Sequence, residues 1–483
     1  MVAEEVRVTP HDAVYIRVDA DPGVLREIAD HFTFEIPGAK YTPAYKYGHW
    51  DGLIRLFKRG LLYVGLLERL RALCLERGYP LRIEVEPPPE ITPEQMLNHV
   101  IGLRLAENGY EPRKYQIEAL AHALREGRSL LLSPTASGKS LIIYALARWH
   151  ERTLIIVPTV NLVKQMIGDF RDYGYTGEVH GIQAGVSRDT DAPIVVSTWQ
   201  SIAKEEPEWV QQFNCVIVDE CHLAKAKTIS GIMEAAVNVH ARYGFTGTLD
   251  GTLTNEMVLE GLFGPIKKVI TTLELMDQGT IARAKIEIPV LKHPEIIRRA
   301  SRAMTYADEI KYLVTSAPRN KFITNLATAI KGNTLVLYTR VEQHGQVLYD
   351  MISAANPGRP VHFVHGGVDA DDREEVRRII QESDDAIVCA SFGVYQLGVN
   401  APRLNNVVLA SPYKSRIVVA QSIGRGLRLS EGKTTCAVYD VADDLSWKSH
   451  KNHTLRHCFE RVKLYAAEGF DYQTFQVVLS EDK

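Results

Sequence analysis

Leu130-Leu131-Leu132-Ser133-Pro134-Thr135-Ala136-Ser137-Gly138-Lys139-Ser140 runs from an apolar triplet, through small residues, into a helical stretch over 140–150. Such a run reads as a buried strand, and the periodic stretch after it as a crossover helix. Small residues at that junction let backbone N–H groups converge on an anion at the positive end of the helix dipole. Lys139 is expected to neutralise phosphate oxygens and the Ser140 hydroxyl to ligate magnesium, with Thr135, Ala136, Ser137 and Gly138 lining the cradle. The strict pattern GxxxxGK[ST] is not met, because Ser133 stands where its first glycine belongs. Serine is small, so the loop can still close around a phosphate.

Val216-Ile217-Val218-Asp219-Glu220-Cys221-His222 carries two carboxylates at the C-terminal end of an apolar run. Ligands of open α/β sheets bind at that end of the strands. Asp219 is therefore expected in the magnesium shell, with Glu220 orienting or deprotonating an attacking water. An isolated Asp-Glu pair is more often a solvated turn. Its position downstream of Lys139, with further strands between, favours the catalytic reading.

The rest of the pattern gives α/β architecture. Strands are expected over 153–157, 194–197, 215–218 and 243–246, with helices such as 161–173 as crossovers. A second set follows over 334–338, 361–364, 386–390, 406–409 and 435–439. Between the sets, Ile296, Ala300, Met304, Ala307, Ile310 and Val314 share one helical face. The expected division is 1–86, a small α/β module; 87–285, a first lobe; 286–446, a second; and 447–483, a helical tail. In the module, strand-like runs at 13–18, 53–57 and 81–85 alternate with helical ones at 24–31 and 66–77. Residues 86–90, Glu-Pro-Pro-Pro-Glu, read as a stiff linker.

The bulk numbers narrow the class. A chain of 483 residues, 45% hydrophobic and 24% charged, can bury several cores. Its net charge of −3 gives no overall attraction to nucleic acid, so phosphate binding must come from local patches. Six scattered cysteines without a CxxC pair argue for reduced thiols rather than structural zinc. No secretory leader or membrane span is expected. Among residues 40–59, Lys40, Lys46, Arg55, Lys58 and Arg59 oppose only Asp51, interleaved with Tyr41, Tyr45, Tyr47, Trp50 and Phe57. Cations grip phosphates and rings stack on bases, so Lys40, Lys46, Trp50, Arg55 and Lys58 are candidate DNA contacts. Trp50 and Phe57 could equally be core anchors, with the cations facing outward.

Asp219-Glu-Cys-His222 resembles a box of the superfamily 2 helicases, and Gln421-Ser-Ile-Gly-Arg-Gly-Leu-Arg428 resembles their sixth motif, QxxGRxxR. The resemblance implies two tandem RecA-like parallel-sheet lobes that share one ATP. Lys139, Asp219, Glu220, His222 and Gln421 would act with Arg425 and Arg428, the latter as arginine finger. Arg113, Tyr115 and Gln116 resemble the adenine-reading segment, and Thr246-Gly-Thr248 the third motif. Ala136 departs from the glycine common there in helicases. Gly398 lies in a fifth-motif-like segment, where Asn400 replaces the usual aspartate. Pro158, Thr159, Ser197 and Thr198 resemble strand-contacting loops, with Thr339, Arg340, His365, Gly366 and Ser391 their counterparts. These matches run from residue 112 to 428.

Residues 34–57 and the tail around 452–465 are also similar to the UvsW-like recombination helicases of T-even phages. That resemblance implies an ATP- and Mg2+-dependent, 3′-to-5′ motor in the cytoplasm of the infected host, functionally related to RecG. Its implied substrates are forks, Holliday junctions and R-loops, including RNA–DNA hybrids. A monomer working beside a single-stranded-DNA-binding protein is expected. An RNA helicase, and an ATP-gated nucleic-acid binder without unwinding, are the competing readings. A restriction-type translocase lacks a nuclease constellation here.

Overall fold

The structure is a computed structural model that describes residues 5–36, 38–88, 90–222, 226–249, 251–365, 378–393, 403–413, 415–430 and 433–480. Gly366, Gly398 and Asn400 lie outside the described residues. The chain divides into two compact units, residues 1–133 with 138–270, and residues 134–137 with 271–483.

The first unit holds a seven-stranded sheet in the order Val179–Ile182, Ile194–Thr198, Thr153–Val157, Cys215–Val218, Ala241–Thr246, Arg128–Leu132, Ile266–Lys268. Every pairing is parallel. Helices cover both faces, so the central strands are buried throughout and read as unbroken apolar runs. The loop strand and the acidic strand are separated only by Ala241–Thr246, so three motif-bearing strand ends stand side by side.

The N-terminal module is a five-stranded mixed sheet with the order Phe57–Lys58, Leu61–Tyr63, Tyr15–Asp19, Val6–Pro10, Leu81–Ile83. The run expected at 53–57 is two short strands, Leu53–Arg55 and Phe57–Lys58, in different sheets. Proline stiffness does not hold this module at a distance. One apolar cluster runs from Val6, Ile16 and Leu70 into Leu130, Val216 and Phe263. Arg69 donates to Glu260 from Nε at 3.1 Å and from a terminal nitrogen at 2.9 Å. Tyr63 donates to Glu234. A Cβ on Gly65 would lie 2.0 Å from the Glu260 carbonyl, so only glycine permits this approach.

The second unit is built on an all-parallel sheet in the order Val361–Val364, Ile387–Ser391, Thr334–Tyr338, Asn406–Leu409, Thr435–Asp440, Arg283–Lys292, Ala442–Asp444. Arg283–Lys292 begins inside the range expected for the first lobe and also pairs with Asp471–Val478. The tail is therefore half helix, His453–Ala467, and half strand. Pro289 falls between Glu287 and Val290, where the long strand changes partner from Thr435–Asp440 to Ala442–Asp444. A residue with no N–H is tolerated at such a gap. The shared apolar face over 296–314 does not make one helix. It breaks after Ala303, and Thr305 with Asp308 forms a capping box that starts Tyr306–Thr315.

Candidate nucleotide site and nucleic-acid surfaces

The loop leaves Arg128–Leu132, and Lys139–Trp149 opens directly behind it. Ser133 is fully buried, and its N–H donates to the Thr246 carbonyl at 2.9 Å. The Ser137 hydroxyl donates to the Pro134 carbonyl at 2.6 Å, tightening the turn. Gly138 has φ 78°, and a Cβ there would lie 2.3 Å from Gln116 Nε2. Ala136 has φ 66°, a left-handed conformation that costs a non-glycine residue about 1–2 kcal/mol. The loop keeps its shape despite alanine because these bonds fix the residues on both sides.

Lys139 reaches the strand end Cys215–Val218. Its ammonium donates to Glu220 Oε1 and lies 3.4 Å from Asp219 Oδ1. Burial opposes the ammonium, but the two carboxylates outweigh it and raise the Lys139 pKa. Burial pushes Asp219 up as well, the Lys139 ammonium pulls it back, and the Glu220 charge adds to the rise. Glu220 sits at φ 47°, so the strand end turns sharply at the proposed catalytic carboxylate. Its Oε2 is 3.4 Å from His222 Nδ1, and that nitrogen bonds the Thr246 hydroxyl. Thr246 Oγ1 in turn donates to the Thr248 carbonyl at 3.0 Å. A continuous polar chain thus joins Lys139 to Thr246-Gly-Thr248.

Gln116 does not present an open amide to a base. It is buried, accepts from the Arg113 N–H at 2.8 Å and donates to the Gly138 carbonyl at 3.4 Å. Arg113 donates to the Tyr115 hydroxyl at 2.9 Å. The segment therefore braces the loop that it was expected to complement.

One partner was not legible from the motifs. The Ser140 hydroxyl is 2.7 Å from the Tyr173 hydroxyl. Tyr173 follows the helix Val160–Asp172, and its ring meets Tyr110 edge-on at 4.8 Å and Tyr144 at 5.4 Å. Burial pushes its pKa up to about 12, against a lowering by the Ser140 bond. A contact spanning 33 residues between side chains has no local sequence signal.

In the second unit Arg425 lies on Arg416–Gly426, and Arg428 follows its end; both are half-buried. Gln421 is on the same helix, but its side chain is outside what the structure describes. A buried pair steadies this region. Arg461 donates to both Asp440 oxygens at 2.8 and 2.7 Å and to the Tyr413 carbonyl at 3.0 Å. The Tyr413 ring stacks on Phe392 at 4.5 Å, linking the tail helix to the residues beside Ser391.

The candidate nucleic-acid contacts divide by exposure. Thr339, Arg340 and His365 are exposed and Ser391 half-buried, all at strand ends on one edge of the second sheet. In the first unit Pro158 and Ser197 are buried. Thr159 and Thr198 spend their hydroxyls capping helices, accepting from Leu162 and Ser201 N–H groups at 3.3 Å. Ser197 donates to the Thr198 carbonyl at 3.1 Å. These hydrogen bonds shape the loops and fix the hydroxyls at the helix starts.

In the N-terminal module Lys40, Lys46 and Lys58 are exposed. Trp50 is an anchor: its indole donates to the Leu53 carbonyl at 3.1 Å. Arg55 pairs with Asp51 at 2.5 Å. Phe57 is 6% exposed, whereas Tyr41 and Tyr47 are 71% and 76% exposed. The most exposed rings of this stretch are those of Tyr41 and Tyr47.

Comparison with known proteins places this geometry in context. The N-terminal family of UvsW DNA helicases matches residues 5–84. The family of type III restriction enzyme res subunits matches 109–251, and the helicase conserved C-terminal domain 318–430. The chain is 34% identical to the ATP-dependent DNA helicase uvsW of Enterobacteria phage T4, over 97% of this chain and 98% of that protein. It is 23% identical to the DNA 3′-5′ helicase XPB of Kineococcus radiotolerans, over 79% of this chain and 68% of that protein. The crystal structure of T4 UvsW superposes with a TM-score of 0.51 at 32% identity, covering 99% of this chain and all of that one. A DNA-bound type ISP restriction-modification enzyme, LlaBIII, shares the fold, with a TM-score of 0.57 at 15% identity over 77% of this chain and 32% of that one. Among the described residues no helix is long and apolar enough to cross a membrane.

Proposed function

We propose, from the premise that this chain belongs to the UvsW family of superfamily 2 helicases, that its ATP-driven motor works on branched DNA. The chain is an ATP-dependent DNA helicase; the proposal concerns its substrate geometry, roles and sites. The observation that carries the ATP-driven part of this reading is the Lys139–Glu220–Asp219 cluster at the mouth of the left-handed loop. It couples a phosphate cradle to two carboxylates at the C-terminal edge of a parallel sheet, the arrangement that hydrolysis of a nucleoside triphosphate needs.

In this reading Lys139 and the loop N–H groups hold the β- and γ-phosphates. Glu220 orients the attacking water and accepts its proton, and His222 carries the change to Thr246-Gly-Thr248. Arg425 and Arg428 stabilise charge spreading over the γ-phosphate when the lobes close. Ser140 and Asp219 fit a magnesium ion, being hard oxygen donors. The demand of the two carboxylates for positive charge is visible in their shared grip on Lys139. Magnesium, when bound, supplies charge neutralisation to the phosphates. Phosphate-only contacts by Thr339, Arg340 and His365 carry no sequence information, which suits tracking along any strand. The exposed lysines and tyrosines of the N-terminal module are the natural contacts for a branch point.

Tyr173 is a positioning residue in this scheme, because its hydroxyl competes for Ser140. Tyr173→Phe keeps the ring packing and is expected to tighten magnesium–nucleotide binding by a factor of roughly 2–10, the equivalent of one hydrogen bond. Binding of nucleotide without magnesium should not change. A fluorescent-nucleotide titration with and without Mg2+ reads both, and equal shifts in the two arms would remove Tyr173 from the scheme.

The experiment that tests the function compares ATPase stimulation by single-stranded, duplex, forked, four-way and R-loop substrates. Highest turnover on the branched forms is expected. Stimulation by plain RNA equal to that by forked DNA would favour an RNA helicase instead.

A further inference from the structure

A basic surface lies in the second unit, built from residues outside the helicase motifs described above. It is made by two stretches that touch. Glu295–Ala300 and Ser301–Ala303 contribute Arg298, Arg299 and Arg302. Residues 446–456 contribute Lys448, Lys451 and Arg456. Against these six cations residues 295–306 and 446–456 hold one carboxylate, Glu295, in a chain whose net charge is −3.

The two stretches are fastened together. The Arg298 and Arg299 guanidinium carbons lie 5.5 and 4.9 Å from the Trp447 ring centre. Arg298 also donates to the Ser446 carbonyl at 3.4 Å. Tyr306 packs edge-on against His453 and His457 at 6.1 and 5.4 Å. Nearby carboxylates are occupied within the fold, and the one inside the patch, Glu295, pairs with Arg299 at 2.6 Å. Glu309 accepts from the His453 and Thr454 N–H groups, fixing the start of His453–Ala467. Asp308 caps its own helix with Thr305, and Asp444 accepts from the Ser446 N–H at 2.9 Å. Arg299, Arg302, Lys448 and Lys451 are exposed. Arginines sharing one aromatic platform lose little freedom on meeting an anion, so they are partly preorganised.

We propose that this face binds the phosphate backbone of duplex DNA, through residues outside the helicase motifs. The inference rests on the reading of the protein as a DNA motor. Trp447 has its ring covered by guanidinium groups, so the contact is to phosphates and is blind to sequence. It would hold a duplex arm beside the track, lengthening the time on one molecule.

The test is duplex binding by fluorescence anisotropy over a salt series, with wild type and the combined variant Arg299→Ala/Arg302→Ala/Lys448→Ala/Lys451→Ala. Each lost phosphate contact lowers the slope of log K against log salt by about 0.9, so the four substitutions are expected to reduce it by about 3.6, with at least roughly tenfold weaker binding. Thermal melting and DNA-independent ATP hydrolysis should stay at wild-type values. A charge-retaining variant, Arg299→Lys/Arg302→Lys/Lys448→Arg/Lys451→Arg, should keep the slope. Unchanged slope and affinity in the alanine variant would overturn this contact and leave the motor standing. Wild-type protein that bound no duplex at low salt would instead bring down the DNA reading and this contact with it.

Discussion

Lys139→Ala is expected to lower DNA-stimulated ATP hydrolysis by a factor on the order of 10³, measured as phosphate release at saturating DNA. The ammonium lies against both Asp219 and Glu220. Its removal deletes the charge that would meet the phosphates and takes a counter-charge from the buried Asp219 and the half-buried Glu220. That second effect reaches stability. The Lys139 pKa is raised, so its stabilising contribution is complete below the unfolded value of about 10.4 and fades only as pH rises through the folded value. At neutral pH the whole contribution is lost, about 3–5 kcal/mol for breaking such a pair. Melting and hydrolysis should therefore both fall in Lys139→Ala, and magnesium–nucleotide should no longer raise the melting temperature. Near-normal turnover would falsify the site assignment.

Glu220→Gln separates binding from chemistry. The substitution is nearly isosteric and can keep the left-handed turn at φ 47°, but glutamine cannot accept the proton of the attacking water. Turnover should drop by roughly 10²–10⁴, the usual worth of a positioned base, while nucleotide and DNA affinities persist. The variant should thus stay on DNA in the presence of ATP, and strand displacement should cease. If displacement continued at the wild-type rate, Glu220 would not be the base. If wild type bound DNA in an ATP-dependent way yet displaced no strand, the ATP-gated binder would be the better description.

The central strands and both nucleotide motifs were legible because buried parallel strands are short, apolar and bounded by small or charged residues. Lys139, Asp219 and Glu220 could be joined on paper because all lie at the same end of one sheet. Side-chain bookkeeping was not legible. Gln116 looked free to read a base and instead braces Gly138. Ser197 and Thr198 looked like phosphate contacts and are spent on a helix start. Trp50 was open to both readings, stacking ring or anchor, and its indole holds a turn. In each case a hydrogen bond between side chain and backbone holds the group, and composition cannot reveal it. The break near Met304 was readable in principle, since Thr305 and Asp308 have capping-box spacing, but the shared apolar face masked it. The tail strand Asp471–Val478 is exposed over most of its length and so lacks the period that would mark it.

The seam between the N-terminal sheet and the nucleotide-binding sheet bears on how the molecule would survive cutting. Residues 86–90 are the covalent bridge, yet cohesion rests on the shared apolar cluster, the Arg69–Glu260 fork and the backbone fit at Gly65. A protease that nicked the triple-proline stretch would leave both fragments travelling as one particle under native conditions. DNA gripped by the module would remain rigidly mounted on the ATP-binding sheet instead of dangling from a tether.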